Sequence, residues 1–174
     1  KIKNLDNVEV YLSGTIHSLS TYMKYEKKLV ELILPAMNLS PFEKYLYAYN
    51  VTKKFKKYKE NEDDKTSARD LYQIMDNEYM VCVGYSKLLG DLLSKLGIES
   101  YDESVTVDIG LDNIPNEEKP LPDFIYDEKT GELKELKTEG AGHARRKIHL
   151  VDPKYGIDGY YFSDPTWDND LEYD

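Results

Sequence analysis

Met80-Val81-Cys82-Val83-Gly84-Tyr85-Ser86-Lys87-Leu88-Leu89-Gly90-Asp91-Leu92-Leu93-Ser94-Lys95-Leu96-Gly97 is the stretch on which the fold turns. Cys82, Tyr85, Leu89, Leu92 and Leu96 recur at three- and four-residue spacing, which marks one apolar face of a helix. Gly97 follows where a helix readily ends in the left-handed conformation. The spacing predicts the strongest helix of the chain, with the only cysteine at its N-terminal end on the buried stripe. Unpaired amides and the positive end of the helix dipole favour a thiolate there. Most free cysteines are nevertheless inert core residues, so position alone does not make Cys82 a nucleophile.

Upstream, Tyr22 to Met37 reads as a helix. Ser40-Pro41-Phe42-Glu43 is a capping box with proline at the first helical position, and it predicts a helix to about Tyr58. Lys59 to Lys65 is a charged loop, and Thr66 to Asp70 resembles an N-cap opening a short helix through Asp76. Downstream, Ser104 to Ile109 alternates like a strand and Ile114 to Pro122 is a proline-rich loop. Asp127-Glu128-Lys129-Thr130-Gly131 is a turn able to close a hairpin, and Glu139-Gly140-Ala141-Gly142 is a flexible connection. His143 to Val151 and Tyr160 to Asp164 read as strands. Between them, Asp152-Pro153-Lys154-Tyr155-Gly156 has the residues of a type I turn closed by a left-handed glycine, which makes a β-hairpin. No internal repeat is present, and both helical and strand patterns occur along the chain.

The 174 residues suffice for one domain with a real core, burying about 70% of the unfolded surface. The chain carries 23 Lys plus Arg against 33 Asp plus Glu, a net charge of −10, which argues against a nucleic-acid partner. Sixteen tyrosines make the apolar fraction rich in side chains that also hydrogen-bond. One cysteine excludes an intrachain disulfide, and with three histidines it leaves no Cys-rich zinc framework. No acidic cluster has the spacing of a calcium loop, so neither metal nor cofactor is expected. No apolar run approaches the roughly 18 residues of a membrane span, and no signal peptide is visible. A start at Lys1 rather than Met leads one to expect an excised domain or a processed product. The sequons at Asn38 and Asn50 carry no weight, being common by chance.

A thiolate nucleophile is commonly paired with a histidine that a carboxylate orients. His143 and His149 share strand parity and lie roughly 20 Å apart at about 3.3 Å per residue, so only one can serve Cys82. A hairpin turning at Pro153 to Gly156 sets Asp164 across from residues 143 to 145 and leaves His149 near Tyr160. Pairing His149 with Asp164 would put Pro153 inside a strand, where its missing N–H is disfavoured. His143 is therefore the better base and His149 an ordinary strand residue. His17 has no evident partner.

Tyr79-Met80-Val81-Cys82-Val83-Gly84-Tyr85-Ser86, Gly142-His143-Ala144 and Asp164-Pro165-Thr166-Trp167-Asp168 resemble the Cys, His and Asp motifs of the transglutaminase-like superfamily, in the family's order and over roughly residues 40 to 170. The resemblance implies a bacterial member with a papain-like α+β core, its Cys helix packed on an antiparallel sheet carrying His and Asp. Residues 1–39 would form a helical extension packed on a catalytic domain of residues 40–174, in one compact unit. Cys82 would be the nucleophile, His143 the general base and acid, and Asp164 the orienting residue. The second oxyanion donor would be an upstream side chain, with Tyr47, Tyr49 and Tyr58 all open. Met80 and Arg145-Arg146 depart from the glycine and the Trp-Asn that many members carry.

The implied reaction is acyl transfer from a protein or peptide amide through a thioester, as transamidase or deamidase. Two alternatives stand beside it: a cysteine peptidase with the same triad, and a non-catalytic binding domain of a larger secreted or surface protein. Trp167 is expected to pack beneath the site. Arg145 and Arg146 are expected on a solvated strand, with an acidic substrate group as their functional alternative. Residues 110–140 form either a lid or a plain surface excursion.

Overall fold

Residues 7–12, 15–58, 67–69, 72–107, 123–127, 132–136 and 141–166 are described by the structure, a computed structural model. Glu9–Leu12 (β1) and Thr15–Ser18 (β2) pair antiparallel. Ser18 then caps helix α1, Leu19–Ile33, its side chain accepting the Thr21 N–H at 3.2 Å. This cap starts the helix three residues before the position read from its apolar pattern. Pro35, without an N–H to continue the ladder, lies in the 3₁₀ turn Leu34–Ala36 that follows. Helix α2, Pro41–Phe55, begins at the predicted box, where the Glu43 carboxylate accepts the Ser40 N–H at 2.9 Å.

α2 stops at Phe55 rather than Tyr58 because Lys57–Tyr58 (β3) pairs parallel with Tyr79–Met80 (β5). Ser67–Ala68 (β4) pairs with the other side of β5, so the helix expected from residues 66 to 76 shrinks to Gln73–Asp76 (α3). These pairings satisfy backbone groups that an isolated segment would satisfy by helix formation. They also hold Met80 outside helix α4, Cys82–Lys95, which ends at Leu96 with Gly97 at φ 77°. The charged loop at residues 59–65 lies outside the described residues.

Ser100–Val107 (β6) starts four residues earlier than its alternation suggests. The strand lies beside Ala141–Asp152 (β9) in a sheet of order β10-β9-β6, β10 being Ile157–Ser163. β9 and β10 form the expected antiparallel hairpin, closed by a 3₁₀ turn at Pro153–Tyr155 and by Gly156 at φ 65°. Asp123–Asp127 (β7) and Glu132–Leu136 (β8) pair antiparallel around the predicted turn, with Asp127 opposite Glu132. The loop at residues 114–122 and the connection at 137–140 lie outside the described residues.

Contacts divide the chain into two units, one of residues 1–103 with 145–174 and one of residues 104–144. The first unit has its core around α4. Tyr85, Leu88, Leu89, Leu92 and Leu93 are almost wholly buried there against Tyr25, Leu29 and Ile33 of α1, Ala48 of α2, and Ile148 and Leu150 of β9. Each buried leucine or isoleucine among them contributes about 1.5–3 kcal/mol. The mixture of helices and strands, most of them paired antiparallel, makes the protein α+β.

Tyrosine hydroxyls tie these elements together. Tyr25 donates to Asp91 at 2.9 Å, Tyr47 to the Leu32 carbonyl at 2.8 Å and Tyr85 to the Lys56 carbonyl at 2.6 Å. Burial, reinforced by the Asp91 carboxylate, pushes the Tyr25 phenol well above its ordinary range. Burial likewise raises Asp91.

Candidate active site

Cys82 is the first residue of α4 and is partly exposed, not sealed in the apolar stripe as its spacing suggests. Val81 at the N-cap has extended backbone and gives no side-chain bond, and the first turn carries no acid. Valine is a poor cap, so neither a side-chain oxygen nor a carboxylate competes for the positive helix end beside the thiol. Met80 and Val81 are buried just before it and anchor the chain as it enters the helix.

The three tyrosines open as oxyanion donors separate by position. Tyr47 donates to the Leu32 carbonyl, on the α1 side of α2. Tyr49 approaches the Asp164 carbonyl at 3.5 Å, and its ring lies 5.9 Å from that of Tyr45. Tyr58 pairs with Met80, two residues before Cys82, and its ring stacks on Tyr85 at 6.4 Å.

Asp164 directly follows β10. Its carboxylate accepts the Thr166 N–H at 3.2 Å, and the preceding Ser163 accepts the Tyr45 hydroxyl at 3.0 Å. Helix α2 thus holds the end of β10 through Tyr45 and Tyr49. In the hairpin register Ser163 pairs with Arg146 and Tyr160 with His149. Asp164 therefore follows the pair at Arg146, and His149 lies four residues back toward the turn. His149 stacks on Tyr160 with ring centres 4.5 Å apart, and its Nδ1 lies 3.3 Å from Glu99.

His143 lies on β9, two residues before Arg145, and is 8% exposed. It belongs to the 104–144 unit, whereas Cys82 and Asp164 belong to the other. His17 pairs with Val10 in the N-terminal hairpin. Trp167 and Asp168 lie outside the described residues. Of the proposed lid at 110–140, the described portions are β7 and β8.

The arginine pair departs from its expected solvated state. Arg145 donates to Glu103 at 2.6 Å and lies 4.0 Å above the Phe162 ring. Arg146 is 7% exposed: Nη1 donates to Asp102 at 2.6 Å and to the Ser86 carbonyl at 3.0 Å, and Nε to Ser100 at 3.1 Å. Both guanidiniums already hold carboxylates, which removes the basis for reading the pair as an acidic-substrate clamp. From Arg145 to Asp152 burial alternates along β9, placing Arg146 on the same inward face as Ile148 and Leu150. Ser86 and Gly90, small residues four apart on one helix face, were the signal in the sequence that a side chain crosses α4 there.

Among the described residues, no group of three or more His, Cys, Asp and Glu is placed to hold a metal ion, and no helix is long and apolar enough to cross a membrane. Compared with models of known families and with curated proteins, the chain gives no match.

Proposed function

We propose that the protein is a cysteine-dependent acyl-transfer enzyme of transglutaminase type, with a papain-like core, acting on the amide of a protein or peptide. Cys82 is the nucleophile, His143 the base and acid, and Asp164 the residue that orients the imidazole. The observation that carries this reading is the partly exposed thiol on the uncapped first turn of α4. The hairpin register supports it by setting Asp164 one residue beyond the Arg146 pair and leaving His149 against Tyr160.

In the proposed reaction the Cys82 sulfur attacks the carboxamide carbon after His143 takes the thiol proton. The backbone N–H of Cys82 and the Tyr58 hydroxyl donate to the developing oxyanion. Tyr58 is preferred over Tyr47 and Tyr49 because its strand runs beside the residues that lead into Cys82. Collapse breaks the C–N bond, and the imidazolium gives its proton to the departing ammonia. An amine, or water, then attacks the thioester with His143 again as base, releasing a new amide, or an acid, and the free thiol.

The test is to incubate the protein with a glutamine-bearing peptide and a labelled primary amine, following label incorporation, ammonia release and chain cleavage together. Incorporation or deamidation with ammonia release, lost in Cys82→Ser, is expected. Cleavage without ammonia would make the protein a peptidase, and an inert mixture would leave only a binding role.

A further inference from the structure

We infer that Arg146 is a positioning residue: its buried guanidinium bolts the Cys-bearing end of α4 to β9 and β6, and so holds Cys82 in its reactive placement. The inference rests on Cys82 being the nucleophile.

Ser86 is one helical turn beyond Cys82, and bonds from both neighbouring strands converge on it. Its carbonyl accepts Arg146 Nη1 at 3.0 Å. Its hydroxyl contacts the Arg145 carbonyl at 3.2 Å and the Asp102 carboxylate at 3.1 Å. Asp102 in turn accepts Arg146 Nη1 at 2.6 Å, and Ser100 accepts Nε at 3.1 Å. One further turn along, Gly90 gives the guanidinium its seat, since a Cβ there would lie 2.3 Å from Arg146 Cζ.

Each half of this arrangement is unfavourable alone. Glycine weakens a helix interior, and a guanidinium is costly to bury where an apolar side chain would pack. The two fit each other, and the planar fork fixes direction as well as distance, which an apolar contact does not. Local rules broken together in this way mark a functional constraint. Misplacement of a reacting group by about 1 Å costs up to about 100-fold in rate. The bolt is one turn from Cys82, and Arg145 is two residues along β9 from His143.

The test is the rate of Cys82 alkylation by iodoacetamide as a function of pH, in the wild-type chain, Gly90→Ala, Ser86→Ala, Arg146→Ala and the Gly90→Ala/Arg146→Ala double variant, each checked for folding by circular dichroism. The rate at about pH 6.5 should fall by about tenfold or more in Gly90→Ala and Arg146→Ala, while the rate at about pH 9.5, where any thiol is ionised, stays within about twofold. The double variant should be no worse than Arg146→Ala, because the methyl group added to the helix then meets no guanidinium. If Arg146→Ala does not fold, Gly90→Ala and Ser86→Ala decide. Folded variants that keep the wild-type profile would overturn the positioning role alone. A wild-type chain whose Cys82 reacts as an ordinary thiol would overturn the proposed function itself.

Discussion

His143 and His149 are six residues apart on one strand, yet their surroundings differ. His149 lies flat on Tyr160 beside Glu99, while His143 is buried nearer the strand's start. His143→Ala should abolish enhanced alkylation of Cys82 near neutral pH, and His149→Gln should leave it unchanged; the reverse would exchange their roles. Tyr58→Phe should lower kcat by about 100-fold with little change in KM, the mark of a donor used in the transition state. The candidate nucleophile and the separation of the histidines were legible in the sequence because both rest on local signals, a helix start and a turn. The burial of Arg146 was not, since its counter-charge Asp102 and its seat Gly90 come from segments 44 and 56 residues away.

At the scale of elements, the β9–β10 turn is fastened to the start of α2. Asp152, 1% exposed, accepts the Phe42 N–H at 2.9 Å and the Lys154 N–H at 3.0 Å. Glu43 accepts Lys154 Nζ at 2.6 Å and the Tyr155 hydroxyl at 2.7 Å. The Lys154 ammonium first, then the Ser40 N–H and Tyr155, lower the Glu43 carboxyl from 4.5 to about 2. A depressed carboxylate stabilises the fold above its unfolded value and loses that contribution as pH falls from about 4.5 towards 2. Glu43→Gln should therefore melt below wild type at neutral pH, with the gap closing across that interval; a gap independent of pH would contradict the pairing. Asp152→Ala should cost about 1–3 kcal/mol in denaturant unfolding, because it orphans two amides. The capping box and the turn were readable because their residue types act locally. β3, β4 and the early start of β6 were not, because strand pairing with distant segments overrode local preference.

For the whole molecule, α4 is both the centre of the first unit's core and the element that presents Cys82. Leu89→Ala should destabilise by about 2–5 kcal/mol in denaturant unfolding, and a loss under about 1 kcal/mol would place the core elsewhere. The α+β class followed from the resemblance of the Cys, His and Asp motifs to the transglutaminase-like superfamily, whereas the division at residues 104 and 144 cuts through two strands and leaves no compositional mark. The central claim is that Cys82 forms a thioester with an amide substrate. Intact-mass spectrometry after mixing with a glutamine-bearing peptide and quenching in acid tests it most directly. The account predicts an adduct on Cys82 equal in mass to the peptide less ammonia, absent in Cys82→Ser and discharged by added primary amine. An adduct that persists in Cys82→Ser, or no adduct in a chain whose Cys82 is accessible to iodoacetamide, would contradict it.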